Sequence, residues 1–160
     1  MVVDSARLKL SKIAIVEDDR VSAEIITAIL NNAGFTQITL INNSNHALST
    51  MDQILPDLVI LDILMPDLNG FEVAQQILQH NRLRDIPVIF QTSLNTPQHK
   101  VRAFSLGASD YISKPIHPEE LLARIKVHLM NRHLLQDLRV AHEKVQQQQI
   151  IAREMQDRLQ

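Results

Sequence analysis

Short apolar runs alternate with amphipathic stretches along most of this chain of 160 residues. The run Lys12–Val16 is apolar almost throughout and ends at an acidic cluster, which is typical of a strand buried on both faces. From 21 to 33, apolar residues recur at helical spacing, and Asp19 stands before them as a candidate N-cap. The same alternation continues to the C-terminal helix. Further strands are predicted at 38–41, 58–61, 87–90 and 111–112, and further helices at 44–54, 70–79, 97–106 and from Pro118 onwards.

Strands that are apolar on both faces, with amphipathic helices between them, indicate a parallel sheet covered by helices on each side. We therefore predict a doubly wound α/β fold: a five-stranded parallel sheet of the flavodoxin-like (βα)5 type with a long C-terminal helical extension. Gly34 and Gly107 follow two predicted helices, where a residue able to adopt positive φ is favoured. The length suits one domain and an additional element. We assign 1–8 to an N-terminal tail, 9–130 to the domain and 131–160 to a helical linker.

The composition argues against several classes of protein. With 18 acidic and 16 basic residues, one Tyr and no Trp, the chain lacks both the positive charge and the aromatic platform of a general nucleic-acid binder. The absence of Cys excludes disulfides and thiolate chemistry, and three Gly are too few for a glycine-rich phosphate loop. No apolar run reaches the roughly 18 residues of a membrane span, and the N-terminus has no signal-peptide core. We expect a cytoplasmic protein that contacts neither nucleic acid nor membrane through this segment.

Polar side chains follow the predicted strands at the carboxyl edge of the sheet, where doubly wound folds bind their ligands. They are Glu17 and Asp18 after the first strand, Asp62 after the third, Thr92 after the fourth and Lys114 after the fifth. Neighbouring carboxylates repel one another by several kcal/mol at an effective dielectric of about 20, so a divalent cation is implied. Oxygen ligands without imidazole or thiolate favour Mg²⁺ or Mn²⁺, and Asp18 and Asp62 are the candidate direct ligands.

This set of residues predicts phosphoryl chemistry. Once a cation and Lys114 offset the negative charge, one carboxylate can attack a phosphorus centre and form an aspartyl phosphate. Asp62 is the candidate nucleophile because it lies centrally, between the acidic pair on one side and Thr92 and Lys114 on the other. Lys114 is expected to pair with one phosphoryl oxygen and Thr92 to donate its hydroxyl to another. Backbone N–H groups of the turn 63–64 would help to cradle the group.

Several segments at these strand ends, taken together, resemble the receiver domain of two-component response regulators. They are 15–19 (IVEDD), 62–70 (DILMPDLNG), 90–93 (FQTS) and 107–115 (GASDYISKP). The resemblance spans about residues 9–130 and implies a phosphorylatable signalling switch with Mg²⁺ as cofactor. It also implies a histidine kinase or a histidine phosphotransfer protein as phosphoryl donor, and a cis peptide bond before Pro115.

Residue by residue, the resemblance assigns the phosphorylation site. Glu17 and Asp18 match the acidic metal-binding pair, and Asp62 matches the phosphoacceptor. Asp62 and the backbone carbonyl of Leu64 are implied as further metal ligands. Lys114 matches the lysine that accompanies the phosphoryl group in this family.

Two more residues match the switch of the family. Thr92 corresponds to the hydroxyl that moves towards the phosphoryl group, and Tyr111 to the aromatic side chain that turns from solvent into the space behind it. This change would shift the population between two packings of one sequence. We expect partners to detect it at the face formed by 97–106, 111–112 and the final helix.

The C-terminal part of the chain predicts a long helix that connects the domain to a further, output domain. No helix breaker follows Pro118, and apolar or small residues continue at steps of four and three beyond the domain. A helix of about 40 residues spans about 60 Å, too long to fold back on the domain without a turn. We expect a parallel coiled-coil homodimer that leads to an output domain beyond Gln160. The apolar seam is Leu134, Leu138, Ala141, Val145, Ala152, Met155 and Leu159, with Gln148 in the remaining position.

The nature of the output is left open by the sequence. Residues 152–159 are similar to the lead-in of metal-dependent serine/threonine phosphatase domains, and diguanylate cyclases and histidine kinases use comparable connectors. The chain itself would catalyse only its own phosphotransfer and dephosphorylation. An alternative is an interaction module of the same fold that signals by binding alone. A hydrolase of the haloacid-dehalogenase type is disfavoured, because Leu64 stands where that family has a second Asp.

Overall fold

A computed structural model describes residues 4–65, 69–93 and 96–160 of the chain. Within these ranges strands alternate with helices, and a short 3₁₀ turn, Ser44–His46, precedes the third helix. The strands are β1 Lys12–Val16, β2 Gln37–Ile41, β3 Leu58–Asp62, β4 Val88–Thr92 and β5 Asp110–Ser113. The helices are α1 Ser5–Lys9, α2 Arg20–Asn32, α3 Ala47–Ile54, α4 Gly70–Gln79, α5 Pro97–Ser105 and α6 Pro118–Arg158.

The strands form one parallel sheet in the order β2-β1-β3-β4-β5. This confirms the predicted doubly wound fold, because the chain first moves outwards from β1 to β2 and then crosses back to build β3, β4 and β5 on the other side. The carboxyl ends of β1 and β3 lie side by side where the direction reverses, which opens a crevice at this edge. Every residue of β3 and β4 is buried, as expected for strands covered on both faces.

Alternate residues of each strand belong to two separate cores. Ile13 and Ile15 pack with residues of α2 and α6, whereas Ala14 and Val16 pack on the other face with residues of α3 and α4. Successive strand side chains point to opposite faces. The apolar residues of a strand therefore also fix the direction in which the polar residue at its carboxyl end points.

Local signals determine where several helices begin and end. Asp19 accepts a hydrogen bond of 3.0 Å from a backbone N–H in the first turn of α2 and is its N-cap, as predicted. Gly34 and Gly107 have φ angles of +96° and +84°, which confirms the expected positive φ. At Gly70 a Cβ would lie 2.1 Å from the carbonyl oxygen of Asp62. Only glycine therefore allows α4 to begin so close to the end of β3.

Residues 5–8 of the segment that the sequence predicts as a tail, 1–8, belong to the short helix α1. Leu8 of this helix is buried in the core that also contains residues of α6. Arg7 donates two hydrogen bonds, of 2.7 and 2.8 Å, to the carboxylate of Asp137 in α6. Helix α1 is thus packed against the domain and does not extend away from it.

Helix α6 continues without a break for 41 residues and is about 62 Å long, which confirms the predicted extension. Its first part packs on the sheet through buried residues four positions apart. These are Leu121, Ile125, Leu129 and His133. From 138 to 160 every residue is exposed. Neither this helix nor any other in the described ranges is long and apolar enough to cross a membrane.

Candidate functional site

The carboxyl ends of β1 and β3 bring three predicted acidic residues together. One carboxylate oxygen from each of Glu17, Asp18 and Asp62 lies within 4.8 Å of the other two. Glu17 and Asp62 are only 2% and 3% exposed, whereas Asp18 is exposed. The cluster therefore has two carboxylates inside the crevice and a third at its mouth.

The ammonium group of Lys114, just beyond β5, lies close to both buried carboxylates. Its Nζ is 3.4 Å from Oδ2 of Asp62 and 3.5 Å from Oε1 of Glu17. The peptide bond between Lys114 and Pro115 is cis, as the resemblance implied. One positive charge faces three carboxylates, so the site keeps an excess of negative charge that a divalent cation would offset.

The crowding of carboxylates changes the protonation of the site. Burial, a hydrogen bond with Asp62 and repulsion from the Asp62 charge raise the pKa of Glu17 from 4.5 to about 8, although Lys114 acts in the opposite direction. At neutral pH the buried pair therefore retains a proton when no cation is bound. Binding of a cation and release of this proton are linked, because both relieve the same repulsion.

The donor set of the crevice fits Mg²⁺ or Mn²⁺. All three clustered groups are carboxylates, whose oxygens hard cations prefer, and the exposed Asp18 leaves one side of the cluster open to solvent. The backbone N–H of Leu64 donates a hydrogen bond of 3.3 Å to Oδ1 of Asp62, so this turn is drawn towards the carboxylate. The implied role of the Leu64 carbonyl as a further ligand stays a prediction.

Thr92 and Tyr111 lie on the other face of the sheet, at the site's border. Thr92 is completely buried at the end of β4, and Tyr111 is 7% exposed. Tyr111 is paired in register with Phe90, two residues before Thr92 on the same face of β4. Lys100 of α5 lies over the tyrosine ring, with Nζ 5.7 Å from the ring centroid. In this structure the ring thus occupies the inward position, and burial raises the pKa of its hydroxyl.

Sequence reasoning missed one residue of the site. Gln91 of β4 is 0% exposed, and its Nε2 donates a hydrogen bond of 3.0 Å to Oε2 of Glu17. Its Oε1 is buried and accepts no hydrogen bond from any described residue, which costs about 1–3 kcal/mol for a polar atom withdrawn from water. The sequence did contain a signal for this residue. The predicted strand is apolar up to Phe90, and an amide follows it directly before Thr92.

Part of the loop that follows Asp62 belongs to the resemblance but lies outside the described residues. This part is 66–68, within the segment 62–70. The predicted site residues all lie within the described ranges; they are Glu17, Asp18, Asp62, Leu64, Thr92, Tyr111 and Lys114.

Comparisons with known proteins identify relatives of this chain. The chain is 36% identical over 116 residues to the DNA-binding dual master transcriptional regulator RpaA of Synechocystis sp., which covers 72% of this chain and 47% of RpaA. It is 38% identical over 117 residues to the transcriptional regulatory protein CusR of Escherichia coli (strain K12), which covers 72% of this chain and 49% of CusR. The chain thus spans about half the length of these curated relatives.

A solved structure shares the fold. The BeF₃-activated N-terminal receiver domain of RstA from Klebsiella pneumoniae superposes with a TM-score of 0.68 and is 31% identical, covering 74% of this chain and 97% of that domain. Residues 13–126 match the family described as the response regulator receiver domain, which is more than half of the chain. The chain therefore belongs to the receiver domain family of two-component response regulators.

Proposed function

We propose that Asp62 accepts a phosphoryl group from the phosphohistidine of a histidine kinase or a histidine phosphotransfer protein. The observation that carries this proposal is the position of Lys114. Its Nζ lies 3.4 Å from Oδ2 of Asp62, inside a cluster of three carboxylates whose oxygens are within 4.8 Å of one another. A buried carboxylate with an ammonium group beside it and a cation site next to it is suited to act as a nucleophile towards phosphorus.

In the transfer, an oxygen of Asp62 forms a bond to phosphorus while the bond from phosphorus to the donor's imidazole nitrogen breaks. The imidazole keeps the electron pair of the broken bond. Mg²⁺ or Mn²⁺ held by Glu17, Asp18 and Asp62 would supply positive charge that offsets the approach of an anionic group. Lys114 pairs with a phosphoryl oxygen, and the backbone N–H of Leu64, which donates to Asp62 at 3.3 Å, points towards the same place.

The phosphoryl group would be read through Thr92 and Tyr111. It adds up to about two negative charges and three acceptor oxygens, which reward an inward position of the Thr92 hydroxyl. Because Tyr111 lies on the same sheet face as Thr92, a shift of the threonine changes the space available to the ring. The state of the site then reaches the surface formed by α5, β5 and α6.

We propose that α6 passes this state to an output domain and holds two chains together. Exposed apolar residues continue along the helix after it leaves the domain. The larger ones on the predicted seam are Leu134, Leu138, Val145, Met155 and Leu159. A parallel coiled-coil homodimer would bury this seam. In this scheme the receiver, predicted as 9–130, also includes α1 and the part of α6 up to Asp137. The rest of the predicted segment 131–160 is the linker to the output.

The class of that output is a separate proposal. RpaA is described as a DNA-binding regulator, and the receiver proposed here needs no nucleic-acid contact of its own, so any such activity would belong to the output. A serine/threonine phosphatase or a diguanylate cyclase would suit the same helical linker. We propose a cytoplasmic location, as the sequence predicts.

Intact-mass measurement tests the phosphorylation proposal. The protein is incubated with acetyl phosphate, with and without Mg²⁺, and we expect the mass of one phosphoryl group to be gained only with Mg²⁺. Asp62→Ala should gain nothing, while Asp85→Asn, which changes a carboxylate on the surface, should react like the native protein. An absence of reaction in the native protein, or equal gain in Asp62→Ala, would favour the module that signals by binding alone.

A further inference from the structure

Gln91 is a polar residue in the middle of a core strand. The register pairs it with Asp62 of β3 on one side and with Ile112 of β5 on the other. It is 0% exposed, and Ile89, which is on the same face of β4, belongs to the apolar core on that face. A buried amide is favourable only where hydrogen bonds replace its contacts with water. The position of Gln91 therefore requires a polar partner, and Glu17 is the one that the structure provides.

The two oxygens of Glu17 have different neighbours. Oε2 accepts the hydrogen bond of 3.0 Å from Nε2 of Gln91, and Oε1 faces Nζ of Lys114 at 3.5 Å. A carboxylate held at both oxygens cannot rotate freely about its last side-chain bond. Gln91 thus fixes the plane of the Glu17 carboxylate within the cluster that it forms with Asp18 and Asp62.

We propose that Gln91 is a positioning residue for the cation site, which acts by orienting Glu17 towards the ion. The inference rests on the magnesium site proposed above and adds to it a residue that does not itself touch the ion. Groups that hold metal ligands in place typically change metal affinity by about 10- to 100-fold when they are removed. Glu17 is buried and is also held by Lys114, so it keeps part of its orientation without Gln91. We therefore expect a loss of affinity at the lower end of this range when Gln91 is replaced.

Oε1 of Gln91 is buried without a hydrogen-bond partner among the described residues, which indicates that the side chain does more than fill space in the core. If the side chain only occupied space, an apolar residue of the same length would fill the position without a buried oxygen that lacks a donor. The amide is instead held with its nitrogen towards Glu17, although this leaves Oε1 buried and without a partner among the described residues. The hydrogen bond to Glu17 is what the amide supplies and an apolar side chain does not.

Binding of Mn²⁺ tests the inference without any phosphoryl transfer. Free Mn²⁺ is followed by electron paramagnetic resonance during titration of the full chain. Gln91→Met keeps the length of the side chain and removes both polar atoms, and we expect it to weaken Mn²⁺ binding about 10-fold. Ile89→Met is the matched control, because it changes the same face of the same strand away from Glu17, and its affinity should equal that of the native protein.

A double-mutant cycle separates positioning from a general loosening of the strand. In a Glu17→Gln background, Gln91→Met should weaken Mn²⁺ binding less than 2-fold, because the carboxylate that Gln91 orients is already gone. An equal loss in both backgrounds, or an equal loss in Ile89→Met, would overturn the inference. Thermal unfolding of each variant identifies any that is not folded. If Gln91→Met is not folded, Gln91→Leu replaces it in the titration and in the cycle.

Nuclear magnetic resonance provides a second readout in the native protein. The side-chain amide signal of Gln91 is identified by its absence in Gln91→Met, and it should shift during titration with Mg²⁺ at the same midpoint as the backbone signal of Asp62. A Gln91 signal that stays in place while Asp62 responds would overturn the inference and leave the cation site standing. No response at Asp62, together with no Mn²⁺ binding, would instead overturn the cation site itself.

Discussion

Arg7 and Asp137 are joined by two parallel hydrogen bonds of 2.7 and 2.8 Å, although they are 130 positions apart in the chain. The pair connects α1 to α6 at the point where α6 leaves the domain, since every residue from 138 onwards is exposed. A guanidinium and a carboxylate in this geometry are charge-assisted partners. The hydrogen bond with Arg7 is the main cause that lowers the pKa of Asp137, and the positive charge of Arg7 acts in the same direction.

We expect this pair to hold the base of the exposed helix. Arg7→Gln should increase the rate of backbone amide exchange in the turn around Asp137 and leave the rates in β3 and β4 unchanged, because only the last attached turn loses a partner. Hydrogen–deuterium exchange with peptide resolution measures this. Arg153→Gln, on the exposed part of the same helix, is the control. Unchanged exchange at Asp137 would contradict the prediction.

Lys114 should matter much more for the chemistry than for binding of the cation. Lys114→Ala removes the positive group beside Asp62 and is expected to slow phosphorylation by acetyl phosphate by about 100-fold, as loss of one charge-stabilising donor does in other active sites. The rate is measured by intact mass over time at saturating Mg²⁺. Lys126→Ala, an exposed lysine on α6, should react at the native rate. Equal rates for the two variants would show that Lys114 is not at the reacting group.

Stability of the ion-free protein should decrease as pH rises because of Glu17. Its pKa is about 8 in the folded protein and 4.5 ordinarily, so between these values the folded state holds a proton that the unfolded state has released. The unfolded state then binds fewer protons, and an increase in pH favours unfolding. In EDTA, the urea midpoint should fall across this interval. Glu17→Gln, which cannot ionise, should lose most of the slope, and a slope unchanged in that variant would assign the effect to another group.

Leu64 should prolong the life of the phosphorylated state. Its side chain is 51% exposed beside Asp62 and presents an apolar surface to water that approaches the acyl phosphate. Leu64→Asn replaces that surface with an amide able to orient water, so we expect loss of the phosphoryl group to become several-fold faster. The decay is followed by intact mass after removal of acetyl phosphate. Leu10→Asn, an equally conservative change at an exposed position away from the site, should decay like the native protein.

The seam on α6 predicts a dimer in solution. Leu138→Glu places a charge on the proposed seam and should convert the protein to a monomer, as measured by light scattering coupled to size exclusion. Val140→Glu introduces the same charge on the opposite side of the helix and should leave the dimer intact. Both residues are exposed in the single chain, so neither change disturbs the core. A native protein that is monomeric at high concentration would contradict the prediction.

The fold was predictable from the sequence because burial of the strands imposes a simple pattern. β1 matches its predicted bounds, whereas β3 and β4 continue to Asp62 and Thr92, past their predicted ends at 61 and 90. The polar residues that appeared to end these strands are buried within them. The partners of Asp62 and Gln91 include Lys114 and Glu17, which follow other strands, and no local pattern shows that a carboxylate or an amide will find one.

Long-range contacts explain the other differences. Helix α1 has five residues, too few to be stable alone, and it is held by a partner in α6 that is distant in sequence. Gln91 donates to Glu17 across 74 positions of the chain. Three of the site carboxylates could be placed together from the sequence because the topology alone brings strand ends together. The position of the Gln91 amide beside them depends on the register between β3 and β4, which the sequence does not specify.

Because α6 is unbroken, a small change of its tilt at the domain produces a larger displacement at its far end. About 30 Å of it extends beyond Asp137, and a tilt of about 10° at the base moves the far end by about 5 Å. That displacement is comparable to the width of a side chain, which is enough to change the contacts at the far end of the helix. A rearrangement too small to alter the sheet can therefore become a large displacement at the end of this helix.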